Sequence, residues 1–213
     1  MRGLLARWFG ARDALPLRTA RWVVVDCETS GLDAARDRLL SIGAVAVRAG
    51  RIELAEAFSA LLRQDAPSDP ANILVHGIGG DAQRNARAAP EVLREFSRFV
   101  ADGLPVAFHA HFDHVVLQRA MAQVPGLAAP GDWLDLARLA PALQPAADGA
   151  QRALDDWLKE FGIPCPARHD ALADAYATAQ LLLVLLAEAE RQRVASVADL
   201  RRLERAGRWL VAG

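Results

Sequence analysis

The spacing of apolar residues changes along the chain, and each change marks an element. RWVVVD at 21–26 is a short apolar run closed by an acid, which reads as a buried strand. RLLSIGAVAVRAGRIELAEAFSALL at 38–62 predicts two more strands, joined by a turn at Ala49-Gly50, so the first three strands form an antiparallel meander. RQDAPSDPAN at 63–72 is a polar loop carrying two prolines, followed by a short helical stretch. In APEVLREFSRFVADG at 89–103, Val92, Phe96, Phe99 and Val100 share one side while Arg94, Glu95 and Arg98 lie elsewhere, the pattern of an amphipathic helix.

LPVAFHA at 104–110 predicts a short buried strand, and FDHVVLQRAMAQV at 112–124 a helix ended by Pro125-Gly126. GDWLDLARLAPAL at 131–143 predicts a small strand and a helical turn; RALDDWLKEFGIP at 152–164 is a helix stopped by Gly162 and Pro164. The longest helix is expected over 168–193, with another over 197–206. Strands first, then alternation with helices, predict an α/β fold with a mixed central sheet flanked by helices. The expected organisation is an N-terminal helical extension at 1–20, a main domain at 21–193, and a C-terminal helix at 194–213 packed on it.

Composition narrows this picture. The chain has 213 residues, 53% of them hydrophobic, enough for one sizeable core. No apolar run reaches the roughly 18–20 residues needed to cross a bilayer, and LLLVLLA at 181–187, between Asp174 and Glu188, reads as a core helix. No membrane partner is expected. The net charge of −1 means that contact with a polyanion would be local or made through metal. Two cysteines, Cys27 and Cys165, outside any CxxC pair favour a reducing cytoplasm, and the alanine, leucine and arginine excess favours a bacterial one. MRGLLARWFGARDALPLR is arginine-rich and acid-poor. Lacking an apolar stretch and a small-residue cleavage site, it is expected to be a helix packing on the domain or on a partner, in preference to a transit peptide.

Candidate chemistry lies in the acids at element ends. Asp26 and Glu28 are two apart on the first strand and so share a face. Asp113 opens the helix after the AFHA strand; Asp174 lies near the start of the longest helix, five residues after His169. Five residues at about 100° each would leave His169 and Asp174 some 140° apart on a continuous helix. His169 therefore belongs in the loop before the helix, with Asp170 as N-cap. Each feature alone has an ordinary explanation: a solvated strand end, a helix-terminal acid, a capping histidine. Together they would converge at one sheet edge, where clefts form, and four carboxylates without counter-charge would be costly. Divalent ions such as Mg²⁺ or Mn²⁺ remove that objection, and two of them about 3.5–4 Å apart suit phosphodiester hydrolysis.

The same residues carry a resemblance. VVVDCETSGL with RLLSIGAVAV, then AFHAHFDHVVL, then RHDALADAYATAQLLL, resemble in order and spacing the three motifs of the DEDDh (DnaQ-like) 3′–5′ exonucleases, the DNA polymerase III epsilon and RNase T group. ILVHGI at 73–78, GDWLDLARL at 131–139 and ALDDWLKEFGIP at 153–164 follow the same run. The resemblance implies an RNase H-like fold and removal of nucleoside 5′-monophosphates from nucleic-acid 3′ ends with two divalent ions, Mg²⁺ or Mn²⁺. It implies that Asp26, Glu28, Asp113 and Asp174 bind metal and that His169 is the general base. It also implies substrate contacts by Thr29 near the terminal sugar, by Leu32 wedged against the last bases, and by Phe112. Single-stranded DNA is the expected substrate, RNA the alternative, and a DNA polymerase or other protein is a possible partner through residues 1–20. A non-catalytic module gripping a nucleic-acid end is the rival reading, disfavoured because the four acids and the histidine are all present.

The sequence departs from the family pattern in three places. Phe108-His109 replaces the usual His-Asn, Ser41 stands where the family often has Glu, and Cys27 replaces a common threonine. Strand alternation turns Cys27 away from the acids, towards a packing role.

Overall fold

The computed structural model describes residues 13–145 and 152–210. Its five strands are β1 (Trp22–Thr29), β2 (Leu39–Arg48), β3 (Arg51–Leu61), β4 (Leu104–Ala107) and β5 (Leu134–Asp135). They form one sheet in the order β3-β2-β1-β4-β5. β1, β2 and β3 are the expected antiparallel meander, while β4 and β5 run parallel to β1. Between β3 and β4 come α1 (Pro70–His76), α2 (Gly80–Asn85) and α3 (Ala89–Val100). α4 (Ala110–Ala122) follows β4, and α5 (Leu136–Leu143), α6 (Leu154–Glu160), α7 (Ala171–Arg191) and α8 (Val197–Leu210) follow β5.

Side-chain alternation on β1 assigns each residue to one of two cores. Trp22 and Val24 face the larger one, made with α5, α6, α7 and the start of α8. Val23, Val25 and Cys27 face the smaller one, made with α3 and α4. The same parity sends Asp26 and Glu28 to the α7 side of the sheet.

The apolar run of the first strand stops at Val25, but the strand itself continues through both acids to Thr29. Antiparallel pairing with β2 sustains it: Asp26 lies opposite Gly43 and Glu28 opposite Ser41, with a bulge just after Glu28. A bulge re-aims the chain where a site is being built. β4 is shorter than the apolar pattern suggested, ending at Ala107. His109 then takes a left-handed conformation (φ 62°) and starts α4.

α7 has 21 residues and is long and apolar enough to cross a membrane by length and composition alone, yet half of that stretch is buried in the fold. Leu181, Leu182 and Leu185 are fully buried in the larger core, the packing expected for LLLVLLA. Its first turn sits directly on β2. A Cβ on Gly43 would come within 2.1 Å of the Ala171 carbonyl carbon and 2.3 Å of the Leu172 nitrogen. Only a glycine lets the helix start this close to the sheet.

Of the N-terminal extension, residues 1–12 lie outside the described residues. Residues 14–20 are turns around a bridge from Pro16 to Ser196, with Leu17 and Ala20 buried in the larger core. The Trp22 indole N–H donates to the Leu17 carbonyl at 3.2 Å. α8 lies on α5 at a second close approach, where a Cβ on Gly207 would meet the Arg138 carbonyl oxygen at 2.4 Å. Trp22 and Trp157 are core residues, whereas Trp133 packs at the margin of the smaller core and stacks against His114.

Candidate active site

Three elements bring acids to one end of the sheet. Asp26 and Glu28 project from β1, and Asp174 is on the first turn of α7, placed beside them by the contact at Gly43. Asp113 comes from the first turn of α4, which starts beside β1 because β4 is its parallel neighbour. Asp113 and Asp174 are both buried.

The loop entering α7 is built as its residues predict. His169 is left-handed (φ 63°) and exposed, and Asp170 is the N-cap, its side chain accepting from the Ala173 N–H at 2.9 Å. This leaves His169 outside the helix, facing the acids. Ligand atoms of Glu28, His169 and Asp174 all lie within 4.8 Å of one another. Such a set of hard oxygens with one imidazole suits a divalent cation.

Electrostatics express the crowding. Burial, then the charges of Asp113, Asp174 and Glu28, push the Asp26 carboxyl well above its ordinary range. Burial and the neighbouring Asp174 and Asp170 raise Glu28 to about 7. Burial also raises Asp113 to about 7, against hydrogen bonds that favour its charged form. Carboxyls crowded and raised in this way would be relieved by a bound positive charge.

Around these acids lie residues to which the sequence reading gave no part in the site. Cys27 does pack in the smaller core, but it also lies beside Asp113 and favours that carboxyl's charged form; Asp113 reaches the sheet from the α4 side, the side Cys27 faces. The Asp135 side chain accepts from the His109 N–H and the Ala137 N–H, both at 3.0 Å. It thereby ties the β4–α4 turn to the start of α5. Its signal was present in WLDLARL, an acid where a strand becomes a helix. Asp174 accepts at Oδ1 from the Cys165 thiol at 3.2 Å and at Oδ2 from the His169 backbone N–H at 3.0 Å. Arg168 pairs with Oδ2 of Asp174 and, through Nε, with Asp155 at 2.6 Å.

The three expected substrate residues fall differently. Leu32 is 94% exposed on a loop that is firmly held: Arg119 donates to the carbonyls of Ala34, Arg36 and Asp37. Ser30 and the Asp33 N–H both donate to Asp37. Thr29 is buried, its hydroxyl donating to the Gly31 carbonyl at 2.5 Å. Phe112 packs against the smaller core. In the altered second motif, Phe108 packs against the larger core and meets the His109 ring edge-on, centroids 4.9 Å apart. Within ILVHGI, His76 is an internal brace: Nδ1 accepts from the Ile78 N–H at 3.0 Å and Nε2 lies 3.2 Å from the Ser68 hydroxyl.

Comparison with known proteins identifies the family. Residues 23–182 match the family model described as exonuclease. The chain is 36% identical over 174 residues to a DNA polymerase III subunit epsilon-like protein of Rhodobacter capsulatus, covering 80% of this chain and 24% of the relative. It is 29% identical over 185 residues to the PolC-type DNA polymerase III of Thermotoga maritima, covering 87% and 13%. The chain thus spans a quarter or less of the length of these relatives. Among solved structures, E. coli exonuclease I in complex with a dT13 oligonucleotide superposes with a TM-score of 0.68 at 20% identity, over 82% of this chain and 42% of that one.

Proposed function

The chain belongs to the DnaQ-like exonuclease family, and from that premise we propose that it hydrolyses nucleic acids from the 3′ end, releasing nucleoside 5′-monophosphates. The observation that carries the proposal is the meeting of Asp26, Glu28, Asp113 and Asp174, from three separate elements, in a cluster where burial and neighbouring charges raise Asp26, Glu28 and Asp113 above the ordinary carboxyl range. The crowding and the 4.8 Å grouping of Glu28, His169 and Asp174 fit divalent ions. Asp26, Glu28 and Asp174 would hold one and Asp26 with Asp113 a second, Mg²⁺ or Mn²⁺. Bound there, such ions would supply Lewis acidity, activating a water and offsetting charge on the phosphate.

The protein's own groups do the rest. His169, exposed and outside the helix, accepts the proton of the attacking water. Leu32, on its braced loop, wedges against the terminal bases, Thr29 contacts the terminal sugar, and Phe112, next to Asp113 in the chain, completes the substrate contacts. DNA is the proposed substrate, since the solved relative holds a dT13 strand, and the bacterial cytoplasm is the proposed location. An association with a DNA polymerase, proposed from the epsilon-like relative, is tested by co-purification with and without residues 1–12.

The test of the activity is release of mononucleotides from matched single-stranded DNA, duplex DNA and RNA in Mg²⁺ or Mn²⁺. Asp26→Ala and Asp174→Ala are expected to lose at least about 10²-fold in rate, as befits removal of a ligand and not of its support. Full activity in either variant would end the proposal. Faster turnover of RNA would replace DNA as the substrate, and 3′-end binding without turnover would identify a binding module.

A further inference from the structure

We propose that Arg168 is a displaceable counter-ion of the carboxylate cluster: it neutralises Asp174 in the metal-free protein and must leave it for a divalent ion to bind. The inference rests on the nuclease reading of the site and concerns how that site is loaded.

Residues 165–169 wrap the Asp174 carboxylate and use both its oxygens. The Cys165 thiol donates to Oδ1, and the His169 backbone N–H and the Arg168 guanidinium share Oδ2. A metal needs lone pairs now occupied by these groups. The backbone N–H cannot withdraw, because Asp170 caps α7 and fixes the loop. The thiol is a neutral, weak donor. Arg168 brings the one full positive charge of the three, and it stands on a flexible stem.

The geometry of Arg168 is that of a group held by charge. Its Nη1 is buried against the Asp174 carboxylate as an ion pair, a contact between opposite charges that a competing cation can replace. Its Nε is anchored by Asp155 of α6, and the Asp155 side chain is 66% exposed. The guanidinium therefore pivots between two carboxylates, one inside the site and one at its rim. In the absence of metal, Arg168 makes the crowded pocket tolerable. In its presence, Arg168 competes for the same oxygen.

The test is Mn²⁺ titration of the purified full chain without nucleic acid, free Mn²⁺ being read by electron paramagnetic resonance. Arg168→Gln is expected to bind Mn²⁺ roughly tenfold more tightly than wild type, a coupling of ordinary size between two competing ligands. Metal-free, it should melt below wild type, with the gap closing at saturating Mn²⁺. Arg168→Lys, which keeps a charge beside Asp174, should bind as wild type does. Asp155→Asn, which removes the rim anchor and leaves the guanidinium to Asp174 alone, should weaken Mn²⁺ binding, so the proposal is testable even if the glutamine variant fails to fold. Equal or weaker Mn²⁺ binding by Arg168→Gln, or unchanged binding by Asp155→Asn, overturns the counter-ion role alone. Failure of the wild-type chain to bind Mn²⁺ overturns the metal site and this inference with it.

Discussion

His169 and Leu32 show what a single side chain can be asked to do here. His169 sits on a left-handed residue just outside α7, so replacing it disturbs no helix and no core. His169→Ala is therefore expected to keep its melting temperature while losing about 10²–10⁴-fold in turnover, the usual worth of a positioned proton acceptor. Equal turnover would remove the histidine from the chemistry and leave it as a loop residue near the acids. Leu32 makes the complementary case. An exposed leucine on a braced loop contributes nothing to folding, and Leu32→Ala should change stability by less than about 0.5 kcal/mol. If it wedges the terminal bases, KM for an oligonucleotide should rise severalfold with hydrolysis of a base-free phosphodiester unaffected. The placement of Asp26 and Glu28 on one face of β1, and of His169 in the loop before α7 with Asp174 on its first turn, was legible in the sequence, because a D-x-E on a strand and an H-x₄-D at a helix start have periodicities that fix where they point. The parts of Cys165 and Arg168 were not, since each acts on Asp174, which only the fold of the loop before α7 brings near.

At the scale of elements, the site depends on how closely α7 approaches the sheet. Gly43 stands opposite Asp26, and the atoms that an added Cβ would strike are backbone atoms of Ala171 and Leu172, which cannot rotate away. Gly43→Ala should push the start of α7 off β2 and cost about 1–3 kcal/mol, as overpacking does. Because Asp174 rides on that turn, activity should fall further than stability alone accounts for. Gly79→Ala is the control, since nothing lies within 4 Å of its added Cβ; equal melting temperatures for the two variants would refute the close-approach argument. The hydrophobic pattern located these elements but misplaced some of their ends. β1 outlasts its apolar run because β2 pairs with it beyond Val25, and β4 stops early because His109 turns left-handed. Ladder partners and positive-φ turns are not encoded in the local alternation of apolar and polar residues.

For the whole molecule, the carboxylate cluster couples folding to both pH and metal. Glu28 and Asp113 are raised to about 7 in the folded protein, against about 4 in an unfolded chain, and Asp26 is raised well above its ordinary range. Between those values the folded state binds more protons than the unfolded one. Without metal, the stabilisation is complete below about pH 4 and is lost as pH rises through about 7. Melting with a chelator should thus give a temperature that falls between pH 5 and pH 8. A divalent ion reverses the trend, because it binds the deprotonated carboxylates and its affinity grows as they ionise. Mn²⁺ at about 100 times its dissociation constant should add roughly 2.7 kcal/mol, or about 5–10 °C for a domain of this size. The increment should be larger at pH 8 than at pH 5. Asp26→Asn removes a ligand and a repelling charge together, so it should abolish the metal increment while raising the chelated melting temperature at pH 8. A protein whose melting ignores both pH and Mn²⁺ would have its acids apart in solution, and the pocket described above could not then be a metal centre.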